Sequence, residues 1–127
     1  MSFQTPSELR YLRTHEWVRM EGDEAVVGIT DYAQDSLGDV VYVELPQVGD
    51  MFGAGEVFGV IESVKASSDL FAPVGGEVIA INAKLETSQE TVNKDPYGEA
   101  WMIRLKVSGE ESELIDAAAY EQFVASL

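Results

Sequence analysis

Gly59-Val60-Ile61-Glu62-Ser63-Val64-Lys65-Ala66-Ser67-Ser68-Asp69 reads as a β-strand that enters a tight turn and leaves it again. Val57 to Ser63 carries the β-branched and aromatic residues of a strand. Leu70 to Ala72 is the return segment. Pro73-Val74-Gly75-Gly76 then turns the chain towards a further strand, Glu77 to Ala83. Lys65 stands at the apex. Only eight of the 127 residues are Lys or Arg, so a lone amine at a protruding turn stands out. Most lysines are simply solvated. This one has small neighbours, Val64 and Ala66, and a carboxylate on each side, Glu62 and Asp69.

Working outward, the chain is mostly short strands punctuated by Gly and Pro. His15 to Met20 and Glu24 to Ile29 flank Glu21-Gly22-Asp23, a hairpin signal. Thr30 caps a short helix, Asp31 to Leu37, and Gly38 stops it. Val40 to Leu45 is a strand ended by Pro46. Leu85 to Gly98 is a turn or short helix followed by a loop, and Ala100 to Val107 is a strand. Glu110-Glu111-Ser112-Glu113 favours a helix N-terminus through the dipole. In the tail, Ser112 to Leu127, residues Leu114, Ala117, Ala118, Phe123, Val124 and Leu127 recur at helical spacing and predict a helix packed on the sheet. Leu45-Pro46-Gln47-Val48-Gly49-Asp50 and Ala72-Pro73-Val74-Gly75-Gly76-Glu77 form a faint internal repeat, as two related half-sheets would.

Composition narrows the function. One domain, 1–127, suits the length. The net charge of −15 disfavours nucleic acid and anionic membrane, both polyanions, and suits docking onto basic surfaces. The absence of Cys removes disulfides, thiolate nucleophiles and Cys-ligated metals together. No apolar run spans a bilayer. Met1-Ser2-Phe3-Gln4-Thr5-Pro6 lacks the basic and apolar regions of a signal peptide. The expectation is a soluble cytoplasmic protein, or one of the mitochondrial matrix if the chain is a processed eukaryotic form.

His15 is the sole histidine, so neither a His-based metal site nor a Ser–His–Asp triad is persuasive, and it reads as structural or surface. Trp17 and Trp101 read as core. Gly53-Ala54-Gly55 lacks the Lys-Ser/Thr ending of a phosphate loop and reads as a turn. With no convergent nucleophile and base, an enzyme is disfavoured. An acidic interaction module without a cofactor remains open on these residues alone.

Glu62-Ser63-Val64-Lys65-Ala66, Ser68-Asp69-Leu70 and Pro73-Val74-Gly75-Gly76-Glu77-Val78 resemble the lipoylation hairpin of the glycine cleavage system H protein family. His15-Glu16-Trp17-Val18, Gly28-Ile29-Thr30-Asp31-Tyr32-Ala33-Gln34-Asp35, Leu37 to Pro46, Val92-Asn93, Pro96-Tyr97-Gly98 and Trp101-Met102 resemble further segments of that family, in order. Gln89, Thr91 and Ala100 depart from its usual pattern. Tyr32 and Ser36 fall where some relatives carry histidines. A biotin carrier shares the hairpin logic, but its lysine is typically flanked by methionines. A dehydrogenase-complex lipoyl domain usually carries Asp-Lys-Ala and adjoins linkers.

The resemblance implies a mainly β fold of the lipoyl/biotinyl-carrier hammerhead type. That is a barrel-sandwich hybrid of two small antiparallel sheets with short flanking helices, the lipoyl hairpin around 57–76 and a C-terminal helical segment over 112–127. It implies a carrier, not an enzyme, with lipoate joined as an amide to Lys65. The implied partners are a pyridoxal-phosphate glycine decarboxylase (P protein), a tetrahydrofolate-dependent aminomethyltransferase (T protein), dihydrolipoyl dehydrogenase (L protein) and a lipoylating enzyme, with the carrier itself a monomer. Glu62 and Gly76 are implied in recognition by the lipoylating enzyme. Glu16 and Asp69, with the Thr14 hydroxyl or carbonyl nearby, are implied in holding the cationic aminomethyl terminus.

Overall fold

The computed structural model describes residues 3–127. Met1 and Ser2, which open the segment read for a signal peptide, lie outside the described residues. The strands are β1 (Arg10–Tyr11), β2 (Glu16–Glu21), β3 (Glu24–Ile29), β4 (Val40–Glu44), β5 (Met51–Phe52), β6 (Val57–Ser63), β7 (Ser67–Phe71), β8 (Val74–Ile81) and β9 (Ile103–Glu111). Three helices, α1 (Asp31–Leu37), α2 (Thr91–Lys94) and α3 (Ala117–Ala125), and a 3-10 turn at Ala83–Glu86 complete the elements.

Every strand pairing is antiparallel. A six-stranded sheet runs β1-β2-β3-β9-β8-β5, and a three-stranded sheet runs β4-β6-β7. Val18, Val27 and Leu105 of the larger sheet share one apolar core with Val43, Ile61 and Leu70 of the smaller. The result is a mainly β sandwich with few helices, as expected, and the sheets do not close into a barrel. Each fully buried aliphatic side chain at that seam is worth about 1.5–3 kcal/mol. Alternation along β2 and β3 sends Trp17 and Val26 to the opposite face, where α3 brings Ala117 and Tyr120 over Tyr11. Gly28 makes room there, since a Cβ on it would stand 2.6 Å from the Trp17 ring. The indole Nε1–H donates to the Pro96 carbonyl at 3.0 Å.

Local chemistry accounts for the ends of α1. The Thr30 hydroxyl accepts from the Ala33 N–H at 3.2 Å, and Gly38 at φ +82 ends the helix.

Three expectations are corrected. The Pro73–Gly76 stretch is not a turn beyond Pro73: β8 begins at Val74. A Cβ on Gly76 would lie 2.3 Å from the Lys106 carbonyl oxygen, and one on Gly75 would lie 3.1 Å from the Gly109 Cα. These glycines serve the close crossing of β8 and β9, not a reversal. Secondly, β7 begins at Ser67, before Leu70. Thirdly, Glu110 and Glu111 end β9, and the helix starts only at Ala117, where Asp116 accepts from the Ala119 N–H at 2.9 Å. The first repeat segment lies against β8 one residue beyond the second, with Gly49 N–H donating to Val78 O and Val78 N–H to Asp50 O, both at 2.8 Å.

Candidate functional site

The β6–β7 hairpin pairs Glu62 with Ser67, Ile61 with Ser68 and Val60 with Asp69. Its apex, Ser63 to Ala66, is held from within and from outside. The Ser63 N–H donates to the Ala66 carbonyl at 2.8 Å. The Ser63 hydroxyl oxygen accepts from the N–H groups of Lys65 (3.3 Å) and Ala66 (3.1 Å). The Val64 N–H donates to the Asp39 carbonyl at 3.1 Å, just past α1. No backbone donor of the apex is left without a partner, and no apex residue has a positive φ. Lys65 is exposed, its stem passing beside Gly38, whose Cβ position would be 3.5 Å from the Lys65 Cε. Among the described residues no carboxylate forms an ion pair with it. Glu62 and Asp69 flank the amine in sequence but do not engage it.

Beside the hairpin lies a cleft of about 180 Å³. Pockets for free small molecules start at roughly 300 Å³, so this one fits a terminus rather than a whole ligand. Thr14, His15 and Glu16 form one wall, α1 contributes Tyr32 and Ser36, and the hairpin contributes Ser68 and Asp69. Glu16 is 1% exposed. One carboxylate oxygen accepts from the Thr14 hydroxyl. The other accepts from the Phe71 N–H of β7 at 3.0 Å. Glu16 thereby ties the large sheet to the small one. Burial pushes its carboxyl up to about 7, against the opposing pull of the Thr14 and Phe71 donors. It has no cationic partner among the described residues. A cation entering the cleft would find an acceptor already desolvated.

The structure therefore brings together the sequence-selected Thr14, Glu16 and Asp69, the first two by a direct hydrogen bond and Asp69 by lining the same cleft. Glu62 is exposed on β6, opposite Tyr42 and Ser67. Gly76 is buried on β8, away from the apex. Tyr32 and Ser36 face the cleft as aromatic and hydroxyl groups. The histidine that lines it is instead His15, whose ring burial pushes down. Sequence reading missed His15's place, the Asp39 carbonyl under the apex and the Phe71 N–H on Glu16. Backbone partners carry no side-chain signal. A polar ring inside an apolar helical face, Tyr120, was the one visible clue.

The family model described as glycine cleavage H-protein matches residues 9–127. The chain belongs to the glycine cleavage H-protein family. It is 59% identical over 117 residues to the glycine cleavage system H protein of Rubrobacter xylanophilus, covering 92% of each chain. It is 54% identical over 121 residues to that of Nitratidesulfovibrio vulgaris, covering 95% of each. The crystal structure of a glycine cleavage system H protein from Mycobacterium marinum superposes with a TM-score of 0.89 at 36% identity, over 96% of this chain and 99% of that one. Membership makes the chain the lipoyl-carrying component of the glycine cleavage system, a shuttle rather than an enzyme.

Proposed function

We propose that Lys65 Nζ carries lipoate as an amide. The observation that carries this reading is the apex itself: an exposed, unpaired amine on a backbone with no loose donors, next to a cleft sized for the tip of an arm. The residues present fit the group. An amide needs an amine free of a permanent salt bridge, because acylation removes its charge. When bound, lipoate supplies a dithiolane that accepts the aminomethyl group and two electrons. The chain's own residues do the rest. The rigid apex sets where the arm is rooted. Glu16 and Asp69 offer carboxylates to the cationic amine of the cargo, and Thr14 orients Glu16 by its hydroxyl.

Family membership supports the partners proposed with it: the pyridoxal-phosphate glycine decarboxylase, the tetrahydrofolate-dependent aminomethyltransferase and dihydrolipoyl dehydrogenase, met in turn by a monomeric carrier in the cytoplasm, the whole of 1–127 acting as one unit. The bacterial relatives support that compartment. The lipoylating enzyme reads Glu62 by contact and Gly76 through the shape of β8, since Gly76 is buried.

Intact and peptide mass spectrometry of the chain from its host, or after exposure to a lipoate-attaching enzyme, tests the proposal. A lipoyl adduct confined to Lys65 is expected, and it should be absent in Lys65→Arg. A bare amine under both conditions overturns the reading.

A further inference from the structure

The loop that joins β1 to β2 contains a residue in an unexpected conformation. The Leu12 N–H donates to Glu16 O and the His15 N–H to Leu12 O, both at 2.9 Å, which encloses Arg13–His15 as a short hairpin loop. Loops of this kind end on a residue in the left-handed region, ordinarily glycine. Here that residue is His15, at φ +81, the only non-glycine residue with positive φ among the described residues. A side chain held at such a position calls for a compensating use.

The use is visible. His15 Nδ1 lies 2.8 Å from the Tyr120 hydroxyl, and its ring packs 4.8 Å from Tyr32 and 6.0 Å from Phe123. The same hydroxyl lies 2.7 Å from Thr30 Oγ1, the atom that caps α1. Tyr120 itself is 1% exposed and stacks on Tyr11 at 4.7 Å. One phenol on the C-terminal helix thus joins the segment bearing Thr14 and Glu16, the end of the loop and the first residue of β2, to the helix bearing Tyr32 and Ser36. Those segments are two walls of the cleft.

We infer that Tyr120 is a positioning residue for the cleft. Through His15, its hydroxyl holds Thr14 and Glu16 where they receive a protonated amine at the tip of the Lys65 arm. This rests on the reading that Lys65 carries such an arm. The C-terminal helix is then part of the binding apparatus, although none of it lines the cleft.

Two variants separate positioning from stability. Tyr120→Phe keeps the ring stacked on Tyr11 and removes only the hydroxyl. His15→Gly removes the ring but relieves the left-handed backbone, so its thermal midpoint should stay near that of the parent chain. The first readout uses unlipoylated protein: amide hydrogen exchange at Phe71, whose N–H is held by Glu16, against Val64, whose N–H is held by Asp39. In both variants exchange at Phe71 should quicken roughly three- to tenfold, the scale of one lost hydrogen bond, with Val64 unchanged. Unchanged exchange at Phe71, or equal quickening at both amides, overturns the inference. The second readout is the lifetime of the aminomethyl cargo on lipoylated protein, lost as water returns the free thiol, formaldehyde and ammonium. It should shorten by a similar factor in both variants and in Glu16→Ala. If Glu16→Ala shortens it and the linking variants do not, this inference alone falls. If Glu16→Ala leaves it unchanged, the reading of the cleft fails and takes the inference with it.

Discussion

Glu16 is the residue on which the energetics of the site turn. A carboxyl pushed from its ordinary value to about 7 by burial binds its proton more tightly in the folded chain than in the unfolded one. Between roughly pH 4.5 and 7 the native state therefore holds more protons, and stability falls as pH rises through that window. The full contribution is on the order of 3 kcal/mol. Glu16→Gln imitates the protonated acid, with an amide that can donate to Thr14 Oγ1 and accept from Phe71. Its denaturant midpoint should exceed that of the parent chain at pH 8, and the two should converge at pH 5. Equal midpoints at both pH values would show that the ionised form is not penalised. On the proposed reading a cation in the cleft would offset this cost of burial, since an opposite charge within a few ångströms favours ionisation.

At the scale of the element, the lysine hairpin depends on one hydroxyl. Ser63→Ala deprives the Lys65 and Ala66 N–H groups of their common acceptor. The expected cost is about 1 kcal/mol, with faster amide exchange confined to the apex and slower lipoylation of Lys65. Exchange that is unchanged at residues 65 and 66 would remove Ser63 from that role. Gly76→Ala acts on β8 and is predicted to be worse, about 1–3 kcal/mol, because its Cβ meets a backbone oxygen that cannot step aside. A thermal melt reads that loss directly.

These elements were unequally legible. The bounds of α1 follow from its caps, Thr30 and Gly38, because capping is local chemistry. The hairpin of β6 and β7 was legible from its turn and its β-branched residues. Gly75 and Gly76 misled, because a glycine needed for close crossing looks in sequence like one needed for a turn. Only the partners, Gly109 and the Lys106 carbonyl, decide between the two. Thr14, Glu16 and Asp69 were singled out through family likeness, and they line one cleft. The contact from which the positioning of Thr14 and Glu16 is inferred joins His15 to the Tyr120 hydroxyl, 105 residues apart, and its one local trace is a polar ring in an apolar helical face. The helical spacing in the tail did place the last helix, but the acid run that seemed to begin it belongs to the end of β9.

On the whole molecule, charge is unevenly spent. Arg104 pairs with Glu21 and Glu24, and Lys106 with Asp23, so acids at the β2–β3 turn are partly neutralised by β9. On the small sheet, Glu44, Glu62 and Asp69 form no ion pair among the described residues. With a net charge of −15, association with a basic partner surface near the hairpin should be steered electrostatically. Raising salt from about 0.05 to 0.5 M is expected to slow association with the proposed partner, the glycine decarboxylase, by at least tenfold and to change dissociation less. Stopped-flow binding measures both, and a salt-independent association rate would rule out steering.

The Asp39 carbonyl under Val64 has a mechanical consequence. If Lys65 roots the arm as proposed, this bond anchors the foot of the tether, so the tip's search volume is set more by the length of the side chain than by breathing of the loop. For a flexible leash, local concentration falls as roughly the −3/2 power of length. Doubling the leash would dilute the tip only about threefold, whereas freeing the pivot would add the loop's own wandering to every delivery.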